Sequence, residues 1–283
     1  MQRLTGIQSR LLLLAAAALW SSAGAAMKLC HLNALQITGG RSLVAALFLA
    51  VALPEARRLP SRRMLLGVIG YAATVTLFSA ANKLTTAANA IFLQSTAPIW
   101  ILLLGPRLLD DRPSRGEILA LPVYGLGLGL FFLDELTPGQ LAGNLVALAA
   151  GLTFALCIIG VRRAQEEAQA SLLWGNLVAA ALVLPFWSHG PTPQPMDLAL
   201  LAYLGVFQLG LAYLCFGRAV VHVPALEASL LVLLEPVLNP IWTFLFAGER
   251  PGPWALAGGA IVLGATVWRT LVPALAARLR PGV

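Results

Sequence analysis

The sequence predicts an all-α integral membrane protein: ten transmembrane helices arranged as two inverted five-helix repeats. Three observations carry this. The composition is that of a chain dissolved in lipid, ten apolar runs alternate with short polar gaps, and the chain matches itself at a shift of 138 residues. Of 283 residues, 59% are hydrophobic and 11% charged. A soluble domain carries about a quarter charged and about 45–50% apolar residues. Mean hydropathy is +0.82. These figures exclude a soluble enzyme, a disordered chain and a secreted disulfide scaffold. A span takes about 20 residues, so ten to twelve spans would leave little chain for a soluble domain.

The runs, in order, are Leu11–Leu29, Leu35–Leu53, Met64–Asn82, Ala87–Leu104, Gly116–Leu133, Leu141–Val161, Ser171–Trp187, Leu198–Gly217, Ala225–Ala247 and Pro253–Leu271. Each is bounded by charge, Pro or Gly. Arg10 precedes the first, Pro54 ends the second, Arg62-Arg63 open the third, and Arg162-Arg163 close the sixth. The longest gaps, Pro54–Arg63, Gly105–Arg115 and Ser188–Asp197, are rich in Pro or charge, as turns at a membrane face should be. The runs are continuous, whereas a β-barrel needs ten-residue alternating segments. At the N-terminus, Arg3 and Arg10, Leu11–Trp20 and the small run Ser21–Ala26 have the outline of a signal peptide. With so many equally apolar runs following, the segment reads as an uncleaved first membrane helix.

The net charge of +7 is carried in the gaps, so it reports topology and lipid headgroups, not nucleic acid. With the N-terminus in the cytoplasm, that side holds Arg3, Arg10, Arg57, Arg58, Arg62, Arg63, Arg107, Arg112, Arg115, Arg162, Arg163, Arg218, Arg269, Arg278 and Arg280. The other side holds only Lys28, Lys83 and Arg250. Fifteen against three predicts both termini inside a cell membrane, and an even number of spans.

At the 138-residue shift, Leu66-Gly67-Val68 falls on Leu204-Gly205-Val206, Phe78 on Phe216, Ala81 on Ala219, and Ala87 on Ala225. Ala90 falls on Ala228, Leu93 on Leu231, Pro98 on Pro236, and Arg112-Pro113 on Arg250-Pro251. The third to fifth helices therefore match the eighth to tenth, which divides the chain into residues 1–137 and 138–283. Five is odd, so the second unit must lie upside down relative to the first. That architecture belongs to secondary transporters, with a substrate site near the midplane beside broken helices.

Ionisable and helix-breaking residues at mid-membrane depth mark where chemistry can occur. Glu235 lies near the middle of the ninth helix, in Glu235-Pro236-Val237-Leu238-Asn239-Pro240. Pro236 and Pro240 each remove an amide donor, so a kink with freed carbonyls is expected. Glu235 and Asn239 share a face. They either line a cavity, with Glu235 binding an ammonium or hydroxyl group or carrying a proton, or tie down the kink. In the fourth helix Gln94 and Pro98 share a face, Pro98 kinks the helix, and Trp100 follows. Trp20, midway along the first helix among small neighbours, is too deep for the interfacial belt. Gln208 and Tyr213 are polar groups at mid depth in the eighth helix. They lie about 140° apart in α-geometry, so only one of them is expected to face a common cavity. Tyr71, Thr74 and Ser79 are weaker candidates, because hydroxyls often bond their own helix.

Arg41, inside the second helix, is expected to snorkel to the outer surface. The alternative is an inward charge that attracts carboxylates or pairs with Glu235. Glu227 is expected at the cytoplasmic end of the ninth helix, as a solvated anchor or gate rather than a substrate contact. Gly125, Gly127 and Gly129, and Gly258-Gly259, read as close-packing surfaces between halves or between two chains. Cys30, Cys157 and Cys215 have no metal-type spacing and read as packing residues. There is no HExxH, GxSxG or nucleotide-binding loop, so neither an enzyme nor an ATP-driven pump is expected, and no cofactor or metal is implied.

At these residues the chain resembles the drug/metabolite transporter superfamily, in its ten-helix EamA type. The second half carries the resemblance through Ala225-Leu-Glu-Ala-Ser, Glu235-Pro236, Gly248-Glu249 and Gly258-Gly259. The first half carries a looser copy, Ala97-Pro98 and Asp110-Asp111. Trp20 and Arg41 match places where that family often has Trp and Arg. The resemblance implies a pseudo-symmetric ten-helix bundle in the bacterial inner membrane, both termini cytoplasmic, in a family many of whose members export amino acids or other small metabolites.

The reading is an exporter of amino acids or related amphiphilic metabolites, working by alternating access, with a small-molecule substrate and the bilayer as partners. Proton coupling through Glu235 is left open beside a facilitator driven by the substrate's own gradient, and a monomer beside a homodimer. The alternatives are a small-solute channel, a multidrug-type efflux protein, a lipid-handling protein and a non-transporting sensor subunit.

Overall fold

A computed structural model describes residues 4–109, 113–133, 141–247 and 252–278. The motif residues Asp110-Asp111, Arg112, Gly248-Glu249 and Arg250-Pro251 lie outside them, as do Arg3 and Arg280. The described residues are helical throughout, with no strand among them.

The first helix starts earlier than the apolar run. A capping box, in which Thr5 Oγ1 accepts from the Gln8 amide and Gln8 Oε1 accepts from the Thr5 amide, begins α1 (Gly6–Trp20). After a two-residue interruption at Ser21-Ser22, α2 (Ala23–Leu29) continues it. A second capping box, Asn33 with Gln36, opens α3 (Ala34–Ala52). Then come α4 (Leu65–Leu84), α5 (Ala87–Gln94), α6 (Ala97–Leu108) and α7 (Arg115–Leu133). The chain goes on through α8 (Leu141–Ala164), α9 (Ala168–Val183) and α10 (Pro195–Tyr203). A π-helical stretch, Leu204–Leu211, joins α10 to α11 (Ala212–Ala219). The last helices are α12 (Ala225–Leu231), α13 (Leu234–Ala247) and α14 (Pro253–Arg278). The α-helix expected to reach Trp187 stops at Val183 and tightens to a 3-10 turn, Leu184–His189, because Pro185 cannot supply the next α bond.

Six stretches among the described residues are long and apolar enough to cross a membrane: Gly6–Leu29, Ala34–Ala52, Leu65–Leu84, Asn89–Leu108, Leu141–His189 and Pro195–His222. The outward faces suit lipid. Leu43, Leu47 and Val51, four residues apart on α3, are exposed, while Arg41, Ser42, Ala45 and Leu49 of the same helix are buried. Polar groups thus turn inward and aliphatic groups outward, as a lipid solvent requires.

Inside, close contact between helices depends on small residues. α4 packs along α8 and α9, α3 along α9 and the π stretch, α1 along α11, and α7 along α14. Gly127 of α7 meets Val262, Ile261 and the Gly258 carbonyl of α14, whereas a Cβ on Gly125 or Gly129 would meet open space. Of the three α7 glycines expected to pack, one does so, against α14, where Gly258 of the expected Gly258-Gly259 surface meets it.

Two interruptions stand 137 residues apart, one residue short of the sequence repeat. Ser95-Thr96 separates α5 from α6, and Val232-Leu233 separates α12 from α13. Each lies a few residues before a proline, Pro98 and Pro236. The Val232 carbonyl, which Pro236 cannot serve in an α-helix, accepts instead from the Glu235 amide at 3.0 Å. The helix then runs through Pro240 to Ala247.

Candidate functional site

The interrupted and π-helical segments meet around one cavity of about 20 Å3. Trp20, Arg41, Thr74, Gln94, Phe154 and Glu235 line it, with Gln208 and Tyr213 from the π stretch and its exit. Residues on both sides of the chain's midpoint contribute.

Arg41 is 1% exposed and organises one wall. Its Nη1 donates to Gln208 Oε1 at 3.0 Å, and its Nη2 donates to the Val75 carbonyl at 2.9 Å and to Ser79 Oγ at 3.0 Å. Its Nε–H has no partner, and no carboxylate forms an ion pair with it among the described residues. Val75 and Ser79 belong to α4 and Gln208 to the π stretch, so this one side chain fastens three segments. Gly205 makes that approach possible, since a Cβ there would collide with Val44 and lie 2.8 Å from the Arg41 carbonyl.

Glu235 sits one residue into α13 and is buried, at 6% exposure. Its carboxyl has neither a hydrogen-bond nor an ion-pair partner among the described residues. Burying a polar group without such a partner is costly. Trp20 Nε1 and Gln94 Oε1 are likewise buried and unpartnered.

Val75, Phe78 and Leu209 complete the lining, and a cluster of rings stands in and behind it. The Trp20 ring lies 5.7 Å from Phe154, 4.7 Å from Tyr213 and 5.4 Å from Phe216, and Tyr213 lies 4.6 Å from Tyr71. The arrangement combines one buried cation, one buried carboxyl, two further unpartnered polar atoms and a ring cluster. Such a set offers hydrogen-bond donors, acceptors and ring faces side by side.

A tie stands at each end of α1–α2. Arg10 Nε donates to Glu227 Oε1 at 2.7 Å, joining the start of α1 to the start of α12. Beyond α2, Asp197 Oδ1 accepts from the His31 amide at 2.9 Å and from Cys30 Sγ at 3.4 Å. Glu227, expected as a solvated anchor or gate, is instead buried at 5% exposure. A double-mutant cycle of Arg10→Ala and Glu227→Ala, read by thermal unfolding, should therefore give a coupling above the ~0.2–1 kcal/mol of exposed pairs.

The EamA-like transporter family model matches the chain twice, over residues 8–133 and 141–270. This chain belongs to the EamA-like transporter family. It is thus a multi-pass membrane transporter, and the resemblance read from Glu235-Pro236 and its neighbours holds. Among relatives, a protein described as a "Probable terminal-alkyne amino-acid exporter" in Streptantibioticus cattleyicolor is 26% identical over 236 residues, covering 81% of this chain and 79% of that one. The "Threonine/homoserine exporter RhtA" of Escherichia coli K12 is 26% identical over 192 residues, covering 64% of this chain and 62% of that one. An "Uncharacterized transporter" of Archaeoglobus fulgidus is 28% identical over 213 residues, covering 69% of this chain and 72% of that one. A solved crystal structure superposes with a TM-score of 0.76 at 18% identity, over 93% of this chain and 97% of that one. This likeness concerns the fold.

Of the residues singled out in this EamA-like transporter's sequence, Trp20, Gln94, Gln208, Tyr213 and Glu235 come together. Gln208 and Tyr213 line the cavity jointly, against the α-helical expectation. The reason is the π stretch: its bonds run i→i+5, as from the Ala212 amide back to the Phe207 carbonyl, so residues five apart align. Arg41 does not snorkel outward; three neutral acceptors hold it inside.

Asn239 and Trp100 are not among the lining residues. Asn239 Oδ1 faces Gly24 of α2, and Trp100 Nε1 donates at 3.3 Å to Oγ1 of Thr96, the residue that caps α6. Pro98 and Pro236 stand behind the two interruptions. Thr74 lines the cavity but gives its hydroxyl to the Gly70 carbonyl at 2.6 Å. Phe154 was invisible beforehand, being an apolar residue in an apolar helix; only its ring contacts mark it.

Proposed function

We propose that this protein is a secondary exporter of amino acids or related small amphiphilic metabolites in a bacterial inner membrane, with the central cavity as its translocation site. The observation that carries this is the cavity itself, where an unpaired buried cation and an unpaired buried carboxyl meet beside two interrupted helices. Discontinuous helices at the substrate site are a device of secondary transporters. The relatives named as amino-acid exporters support the substrate class.

The reading includes ten spans in two inverted five-helix repeats, residues 1–137 and 138–283, with both termini cytoplasmic. The recurrence of the interruptions at nearly the shift of the sequence repeat, the two family matches and the basic-residue asymmetry support it. It assigns Trp20, Gln94, Gln208, Tyr213 and Glu235 to substrate contact. Asn239 and Trp100 lie outside the lining, on the helices that follow the breaks before Pro98 and Pro236, and Pro240 lies within α13.

Transport is by alternating access. A cavity of about 20 Å3 holds roughly one water, and a small amino acid needs several times that. The walls must therefore part, and the Arg10–Glu227 and Asp197–His31 ties at the two ends of α1–α2 are the contacts that must break in turn.

The test is flux in liposomes of purified protein, offered amino acids, nucleosides and cationic drugs. Saturable, trans-stimulated flux of an amino acid is expected. Flux that does not saturate would make the protein a channel, and movement of cationic drugs alone would make it a multidrug-type efflux protein.

A further inference from the structure

We propose that the central cavity binds an α-amino acid as its zwitterion, with Arg41 taking the carboxylate and Glu235 the ammonium group. This rests on the exporter reading above and specifies what its site recognises.

A buried guanidinium and a buried carboxyl line one small cavity and do not pair with each other. All three partners of Arg41 are neutral, so its charge has no counter-ion among the described residues, and its Nε–H remains unpartnered in the interior. The Glu235 carboxyl has no donor. Unpaired charges in a low-dielectric interior are strongly unfavourable, and such a pair is stable only when both members are compensated. A direct ion pair would solve this, but the two groups form none.

The unpartnered atoms sort by chemistry. Arg41 Nε–H and Trp20 Nε1–H can only donate, and Gln94 Oε1 and the Glu235 carboxylate accept. Donors suit a carboxylate and acceptors suit an ammonium group. A monocarboxylic acid leaves Glu235 uncompensated, a monoamine leaves Arg41 uncompensated, and a neutral sugar serves neither. A zwitterion serves both. Its side chain is then left to the rings of Trp20, Phe154 and Tyr213, which fits an amphiphilic amino acid.

The test uses the full-length protein in liposomes and whichever of the twenty common L-amino acids moves fastest. Its methyl ester lacks the carboxylate, and its N-acetyl derivative lacks the ammonium group. Against wild type, each derivative should compete at least tenfold more weakly than the parent. In Arg41→Gln the penalty for the ester should collapse to within twofold while that for the N-acetyl compound persists. In Glu235→Gln the reverse should hold. These are ratios within one protein sample, so a general loss of activity does not move them. Arg41 also fastens helices, so should Arg41→Gln fail to fold, the wild-type comparison and Glu235→Gln decide.

Equal competition by either derivative against wild type would overturn the zwitterion assignment and leave the exporter standing. Penalties unchanged in both variants would overturn it too, since other residues would then be reading those groups. No flux of any amino acid through well-folded protein would overturn the exporter reading and this one with it.

Discussion

Glu235→Gln protein is expected to unfold at or above the wild-type temperature, yet to transport at less than a tenth of the wild-type rate. The two halves of this expectation come from the same fact. The Glu235 carboxyl is buried and has no partner among the described residues. Exchanging a carboxyl that holds nothing for an amide of the same shape costs no interaction and takes an ionisable group out of the interior. If the same group is what compensates the substrate's ammonium, neutralising it removes a charge-assisted contact, worth roughly 1.5–3 kcal/mol in general, or tenfold and more in rate. Thermal unfolding in detergent and initial flux in liposomes measure the two quantities separately. A kink-bracing role predicts the opposite pattern, with lowered stability and retained transport per folded molecule.

Gly160→Val should be among the most damaging single changes to the fold. A methyl on Gly160 would land on the backbone of Gly67 and Leu66, and one on Gly70 would lie 2.6 Å from the Cys157 amide nitrogen. Backbone meets backbone here, so no side-chain rotation relieves the collision. Helices in lipid gain little from burying apolar surface and rely on such close approach. Overpacking in general costs about 1–3 kcal/mol and sometimes more, and the upper end is expected at this crossing. The yield of monodisperse protein and its unfolding temperature should fall together. Gly125→Val on α7, where a Cβ meets open space, is the control and should be near neutral.

The positions of the helices were legible because lipid imposes a simple rule on the sequence. Apolar runs end where charge or proline makes them end, and α3 was placed to within a residue at each end. The interruptions were partly legible, since Pro98 and Pro236 announced them. The site was readable where a polar residue stood out against apolar neighbours, as Glu235, Gln94 and Trp20 did. It was misread where helical geometry departed from the α period. The π stretch Leu204–Leu211 has no composition signal that separates it from α-helix, so Gln208 and Tyr213 were expected apart. Arg41 was misread because its partners are a carbonyl, a hydroxyl and an amide, scattered over α4 and the π stretch. An arginine with no acidic mate nearby in sequence gives no sign of where it will be held.

The central claim is that the cavity between Trp20, Arg41 and Glu235 is the place substrate occupies as it crosses. Its most direct test is a single cysteine at Gln94, with Cys30, Cys157 and Cys215 replaced by alanine. Membrane-impermeant thiol reagents would be applied from each side of sealed vesicles. The account predicts that Gln94→Cys is labelled from both sides, and that the transported amino acid slows labelling from each. Labelling from one side only, or labelling indifferent to that amino acid, would contradict it.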